Sequence, residues 1–169
     1  MLGLKRGTVK LTANHRQWGK LYKTEKKKIL LELKDLDVVI EHVGSTAVAG
    51  IMAKPIIDMM LGINNIKQNK LIYKKLVEID YEDRGAQEVR GRRLFVKGPE
   101  EKRTHYLHIT KTDSKFWKEH IIFRDYLKKD KKVRDEYNKL KIELAKKYSD
   151  NRKLYTEGKS NFIEKIIKR

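Results

Sequence analysis

The stretch Val38–Gly62, VVIEHVGSTAVAGIMAKPIIDMMLG, constrains the fold of this chain most. Two short apolar, β-branched runs, Val38–Val43 and Pro55–Leu61, flank a segment of small residues. Runs of that length and makeup read as strands. Interiors this apolar belong to a sheet covered on at least one face. Gly44-Ser45-Thr46 closes the first run, and Asp58 sits inside the second. The stretch therefore predicts a strand over Leu36–Val43, a Gly-Ser turn into a short helix over Thr46–Ala53, and a strand over Pro55–Gly62 that carries a carboxylate.

The flanking sequence supplies cover for such a sheet. Trp18, Leu21, Tyr22, Ile29, Leu30 and Leu33 recur at helical spacing, so His15–Lys34 reads as a helix with Asn14 as its cap and Lys23–Lys28 as its wet face. Asn64-Asn65 marks a turn or cap before a helix over Lys67–Ile79. Asp80–Gly91 reads as a short strand and a loop. Arg92–Lys97 and Thr104–Thr110 alternate around Gly98-Pro99-Glu100-Glu101, the pattern of an antiparallel hairpin. Tyr106, His108 and Thr110 then share one face, and His105, Leu107 and Ile109 the other. The rest is helical: a helix capped at Asp113 or Ser114 and running to Lys128, then Asp130–Tyr148, then Asn151–Lys168. The expected whole is one domain over 1–169, with an α/β core at 12–112 and C-terminal helices at 113–169 packed on it.

Charge and composition bound the function. The 169 residues carry 41 Lys and Arg against 23 Asp and Glu, a net charge of +18. Such a balance suits a polyanion partner, whether nucleotide, nucleic acid or anionic surface, or else a lysine coat on ordinary helices. Most of the excess is Lys; Arg, the better fork for phosphate, clusters only at Arg84–Arg93. The absence of cysteine excludes disulfides and thiolate chemistry. The chain has neither an apolar run long enough to span a bilayer nor an N-terminal apolar segment of the signal type, so no membrane role and a cytoplasmic location are expected.

The chemistry-bearing residues gather around the opening stretch. Gly44 lets a backbone approach a ligand closely. Ser45 and Thr46 add hydroxyl donors, and a helix starting there would aim free N–H groups at an anion. The same tripeptide also suits an ordinary helix cap. Asp58 is costly in an apolar strand unless it is paired, hydrogen-bonded or bound to a metal. It suits a catalytic or metal-binding carboxylate, with Glu41 as a second ligand, around Mg²⁺. Lys54 could neutralise a phosphate or pair with Asp58. Arg93 and Arg124 are further phosphate-binding candidates. His42, His108 and Asp125 are expected at the cleft, although a lone histidine is as often a core residue holding a loop. No Ser stands in a nucleophile-elbow context.

Glu41-His42-Val43-Gly44-Ser45-Thr46-Ala47-Val48 followed by Ala53-Lys54-Pro55-Ile56-Ile57-Asp58 resembles the GrpB family, a branch of the nucleotidyltransferase superfold. The resemblance continues through Gly91-Arg92-Arg93-Leu94-Phe95, Leu107-His108-Ile109 and Phe123-Arg124-Asp125-Tyr126-Leu127. It ends in the tail at Leu140-Lys141, Leu144-Ala145 and Tyr155-Thr156-Glu157-Gly158-Lys159. It implies a small mixed sheet flanked by helices, with a Gly-Ser pair cradling a triphosphate. It also implies a strand bearing Asp-x-Asp and a third carboxylate on a later strand, which together hold two metals for nucleotidyl transfer. Gly44, Ser45 and Asp58 match that pattern. Met60 stands at the second aspartate, and Tyr106-Leu107-His108-Ile109 offers no acid. Ala49 replaces a usual proline, and Tyr106 a frequent histidine. The implied function is binding of a nucleotide or other phosphorylated small molecule, with one Mg²⁺ rather than two and transfer to an unnamed acceptor. The alternatives are a non-catalytic binding module linked to coenzyme A metabolism, since relatives are fused to dephospho-CoA kinase, and a basic RNA- or DNA-binding protein. Oligomeric state is not legible.

Overall fold

The computed structural model describes residues 2–64, 66–87 and 89–168. The turn expected at Asn64-Asn65 and the Asp80–Gly91 loop therefore fall partly outside the described residues, at Asn65 and Glu88. Among the described residues, the elements in order are α1 (His15–Glu32), β1 (Val38–Val43), β2 (Ile57–Ile63), α2 (Asn69–Glu78), β3 (Tyr81–Asp83), β4 (Arg92–Lys97), β5 (His105–Lys111), α3 (Lys115–Lys129), α4 (Lys131–Lys147), α5 (Arg152–Glu157) and α6 (Ser160–Ile167).

The strands form one five-stranded mixed sheet in the order β1-β2-β5-β4-β3. Only β2 and β5 pair in parallel; the other neighbours are antiparallel, including the β4–β5 hairpin, where Lys97 faces His105. The two central strands are covered on both sides. Met59, Met60, Leu61 and Leu107 are all buried, as are the neighbours Phe95 and Val96, which point to opposite faces.

One face packs on α1 and α2. Trp18, Ile29 and Leu33 from α1 and Ile72 and Leu76 from α2 meet Ile40, Ile57, Met59, Leu61, Phe95, Leu107 and Ile109 in one apolar cluster. The Tyr22 hydroxyl donates to the Ile40 carbonyl at 3.0 Å, docking α1 on the sheet. The lysine face of α1 is not wholly wet: Glu25 is buried, where it accepts from Lys97 Nζ at 2.8 Å and from the Tyr81 hydroxyl at 3.1 Å. Asn14 occupies the cap position of α1 without capping it, because its amide turns to the Gln17 side chain.

The opposite face carries the C-terminal helices. Ser114 caps α3 by accepting from the Trp117 N–H, and Asp130 and Asn151 cap α4 and α5 in the same way. Val48, Ile51, Leu127, Val133, Tyr137 and Ile166 join these helices to the loop after β1. Two expectations are corrected here. The helix foreseen over Thr46–Ala53 is a single 3₁₀ turn at Ser45–Ala47, because Val48 and Ile51 are drawn sideways into the helical layer. The helix foreseen over Asn151–Lys168 divides into α5 and α6 at Gly158-Lys159, where Gly158 packs so closely on Leu144 that a Cβ there would lie 2.6 Å from it.

Candidate functional site

The two faces of the sheet differ beneath α3–α6. A cavity of about 340 Å³ opens there, floored by the ends of β1 and β2 and walled by all four C-terminal segments. Its floor is the Gly44–Asp58 corner. Asp58 lies opposite Val43 on β1 and in register with Tyr106 on β5, so its side chain shares their face. Gly44 has φ +67, and a Cβ added there would sit 2.9 Å from Asp58 Oδ2. Glycine is required at that position by both backbone and space. The loop that follows is tied to α4. The Met52 N–H donates to Asn138 Oδ1 at 2.8 Å, and Lys141 Nζ donates to the Met52 carbonyl.

Four cationic side chains line the cavity: Lys54 after the loop, Lys141 from α4, Arg152 from α5 and Lys159 between α5 and α6. Against them stand two carboxylates, Asp58 and Glu119. Glu119 is also engaged by Lys115 at 3.6 Å. Aromatic rings hold the ammonium groups: Lys54 and Lys159 lie 5.7 and 4.4 Å from the centroid of Tyr155, and Lys141 lies 5.6 Å from that of Tyr137. Arg152 Nη1 donates to the Tyr106 hydroxyl at 2.7 Å.

Burial sets the protonation balance. It pushes the Lys54 ammonium down to about 7, helped by Arg152 and opposed by Asp58. It pushes Lys159 down to about 8, with Asp58 again opposing. Lys141 falls well below the usual lysine range, through burial and then through Lys159 and Lys54. Asp58 is raised by burial, with Lys54, Arg152 and Lys159 pulling against the rise. His108 is driven to about 3 by burial and by Arg92, His120 and Arg152, so its imidazole is neutral, and its Nδ1 is buried without a partner. His120 Nδ1 lies 2.8 Å from the Phe116 carbonyl, which fixes that nitrogen as a donor. The Ser45 hydroxyl meets the buried Tyr137 phenol. The cavity is thus a largely buried, aromatic-walled chamber lined by more basic than acidic side chains.

Of the residues singled out in the sequence, Gly44, Ser45, Thr46, Lys54, Asp58 and His108 line this cavity. Arg93 does not. It sits opposite Ile109 on the α1–α2 face, where Nε and Nη2 grip Asp83 at 2.9 and 2.6 Å and the guanidinium lies 4.7 Å from the Tyr73 ring centroid. Alternation along β4 decides the matter: Arg92, not Arg93, shares the face of His108. Glu41, Arg124 and Asp125 form a separate group. Arg124 Nη1 donates to Glu41 Oε2 at 2.5 Å and to the His42 carbonyl at 3.0 Å, while Nε reaches Asp125 at 2.8 Å. This network ties α3 to β1 and occupies the Glu41 carboxylate. His42 stacks on Tyr22 at 4.5 Å on the α1 face, and burial holds it down to about 4. Its Nε2 meets Thr46 Oγ1 at 2.9 Å, so it steadies the loop rather than facing a ligand.

Sequence reasoning missed Lys141, Arg152, Lys159, His120 and Tyr137. One signal was available: Lys141 falls four residues after Tyr137 and eight after Val133, on the buried stripe of α4, where a lysine is out of place.

Known proteins place the chain in a family. It is 34% identical to the glutamate-rich protein GrpB of Alkalihalophilus pseudofirmus, over 99% of this chain and 98% of that one. It is 31% identical to YqkA of Bacillus subtilis over 92% of its own length but only 45% of YqkA. The crystal structure of the conserved protein GrpB from Enterococcus faecalis superposes with a TM-score of 0.85, at 34% identity and over 94% of this chain and 95% of that one. The Cid1 poly(U) polymerase with Mg and 3′-dATP bound superposes with a TM-score of 0.59 at 14% identity, over 88% of this chain and 49% of that one. That likeness establishes a nucleotidyltransferase-like fold and nothing finer. The family model for GrpB protein matches residues 8–169, and the chain belongs to the GrpB family.

Proposed function

We propose that the cavity beneath α3–α6 binds a nucleotide or another phosphorylated small molecule, with its phosphate groups among Lys54, Lys141, Arg152 and Lys159. The observation that carries this reading is the charge inventory: four cationic side chains against Asp58 and an already engaged Glu119. Ammonium groups held in a largely buried chamber are costly without a counter-charge. A bound phosphate supplies that charge, and charge-assisted hydrogen bonds with it. Gly44 and Ser45 bring backbone and hydroxyl to the same wall, and the aromatic rings suit a flat organic group beside the phosphates. The Cid1 structures, crystallised with a UTP analogue and with MgGTP, support a nucleotide as the organic part.

A magnesium ion does not fit the residues present. Met60, at the position of a second aspartate, is buried in the sheet. Glu41 is held by Arg124. Asp58 is surrounded by Lys54, Arg152 and Lys159, whose charges repel a divalent cation. Among the described residues, no group of three His, Cys, Asp or Glu side chains could hold a metal. The ligand is therefore read as a free anion that supplies the charge the lysines lack, Asp58 opposing their loss of protons only in part. Calorimetry with ADP in excess EDTA tests this: binding is expected, weakened about tenfold or more in Lys159→Met, the loss of one charge-assisted hydrogen bond. Binding that requires Mg²⁺, or that ignores Lys159, would overturn it.

A further inference from the structure

A second pocket, of about 550 Å³, lies on the same face of the sheet and shares Arg152 and Thr156 with the cavity. Its walls hold five arginines: Arg6, Arg84, Arg92, Arg103 and Arg152. Three of them are committed. Arg84 and Arg103 are paired with Glu82 at 2.6 and 2.8 Å, and Arg6 with Glu100 at 2.6 Å. The carboxylate in the wall, Glu157, reaches Lys153 at 4.0 Å. Arg92 and Arg152 are different: among the described residues neither meets a carboxylate. Arg152 donates from Nη1 to the Tyr106 hydroxyl at 2.7 Å, and its guanidinium lies 4.8 Å from the centroid of that ring. Arg92 leaves Nε and Nη1 buried with no partner, its guanidinium 5.8 Å from the Phe116 ring centroid. An arginine cannot shed its proton to relieve such a position. Nε–H and Nη1–H leave the guanidinium in different directions, and each is a charged donor that a phosphate oxygen can answer.

We propose that this pocket is a second anion site, in which a phosphate group of a phosphomonoester or pyrophosphate seats between Arg92 on β4 and Arg152 at the start of α5. The protein then holds two phosphate groups on either side of Arg152, one in each chamber. The site shares Arg152 with the lysine-lined cavity, and Arg92 is its own. It also gives a place to Arg92, a member of the Arg84–Arg93 cluster that neither pairs with a carboxylate among the described residues nor lies on the other face.

Titration with inorganic pyrophosphate at physiological salt tests the proposal by stoichiometry, with circular dichroism confirming that each variant is folded. The wild-type protein is expected to take up two equivalents. Arg92→Gln loses the second equivalent, or weakens it about tenfold or more, and keeps the first. Lys159→Met does the reverse, and Arg152→Gln weakens both. A single equivalent in the wild type that Lys159→Met abolishes would overturn the second site while leaving the first. Two equivalents unaffected by Arg92→Gln and by Arg152→Gln would overturn it as well, as diffuse attraction to a +18 surface.

Discussion

The two faces of the sheet are built to opposite rules. Beneath α1 and α2 the contacts are mainly apolar, and the buried charge of Glu25 is matched by Lys97 and Tyr81. Beneath α3–α6 the same strands end at a chamber whose charges do not match. The first face obeys the rule that buried charges are paired. The second breaks it in two places, around Asp58 and at Arg92. A departure from consistency confined to one face is what a binding surface looks like when its ligand is part of the balance.

Substitutions sharpen the contrast. The largest effect on stability is expected from Phe95→Ala on the α1–α2 face, at about 3–5 kcal/mol by chemical denaturation. Pyrophosphate affinity should stay within about twofold, since the change lies far from the chamber. If affinity fell with stability, the two faces would not be separate in function.

The second expected effect is on pH dependence. The protonated lysines are the form that burial penalises, so the penalty is complete below the folded values of about 7 for Lys54 and about 8 for Lys159. It is relieved as pH rises through those values toward the ordinary lysine range. The empty protein should therefore gain stability between pH 7 and 9, by about 2 kcal/mol per pH unit for the two lysines together. Anion affinity should fall over the same interval, as the ammonium groups are lost. Thermal melts with and without pyrophosphate check both signs. A protein that loses stability over this interval without ligand would contradict the inventory of charges.

The smallest effect is expected from Arg93→Ala. The Arg93–Asp83 fork lies at an exposed edge, so its loss should cost under about 1 kcal/mol and leave anion binding unchanged. A loss of binding would restore Arg93 to the site.

The fold was legible in the sequence because its signals are local. The β-branched runs of Val38–Gly62, the alternation across Arg92–Thr110 and the cap at Asp113 or Ser114 each declare an element within a few residues. The strand floor of the site, Gly44, Ser45, Lys54 and Asp58, was legible for the same reason. The cationic wall was not. Lys141, Arg152 and Lys159 come from three separate C-terminal segments and are three among 41 basic residues, so composition hides them. Arg93 was drawn toward the cleft by its neighbour: one step along a strand reverses the face, and Arg92 is the residue that points inward. The short helix after Gly44 failed because small residues permit a helix, whereas Val48 and Ile51 find more burial in the helical layer.

The central claim is that burial in a chamber short of negative charge weakens the Lys54 and Lys159 ammonium groups, and that a bound anion restores them. Nuclear magnetic resonance of isotopically labelled lysines measures this directly, by titrating the side chains next to each ammonium group. The account predicts two lysines titrating near 7 and 8 in the empty protein, assigned by Lys54→Met and Lys159→Met, and both moving up toward the ordinary range when pyrophosphate is added. Two lysines already titrating near the unperturbed value of about 10.4, or unmoved by pyrophosphate, would contradict it.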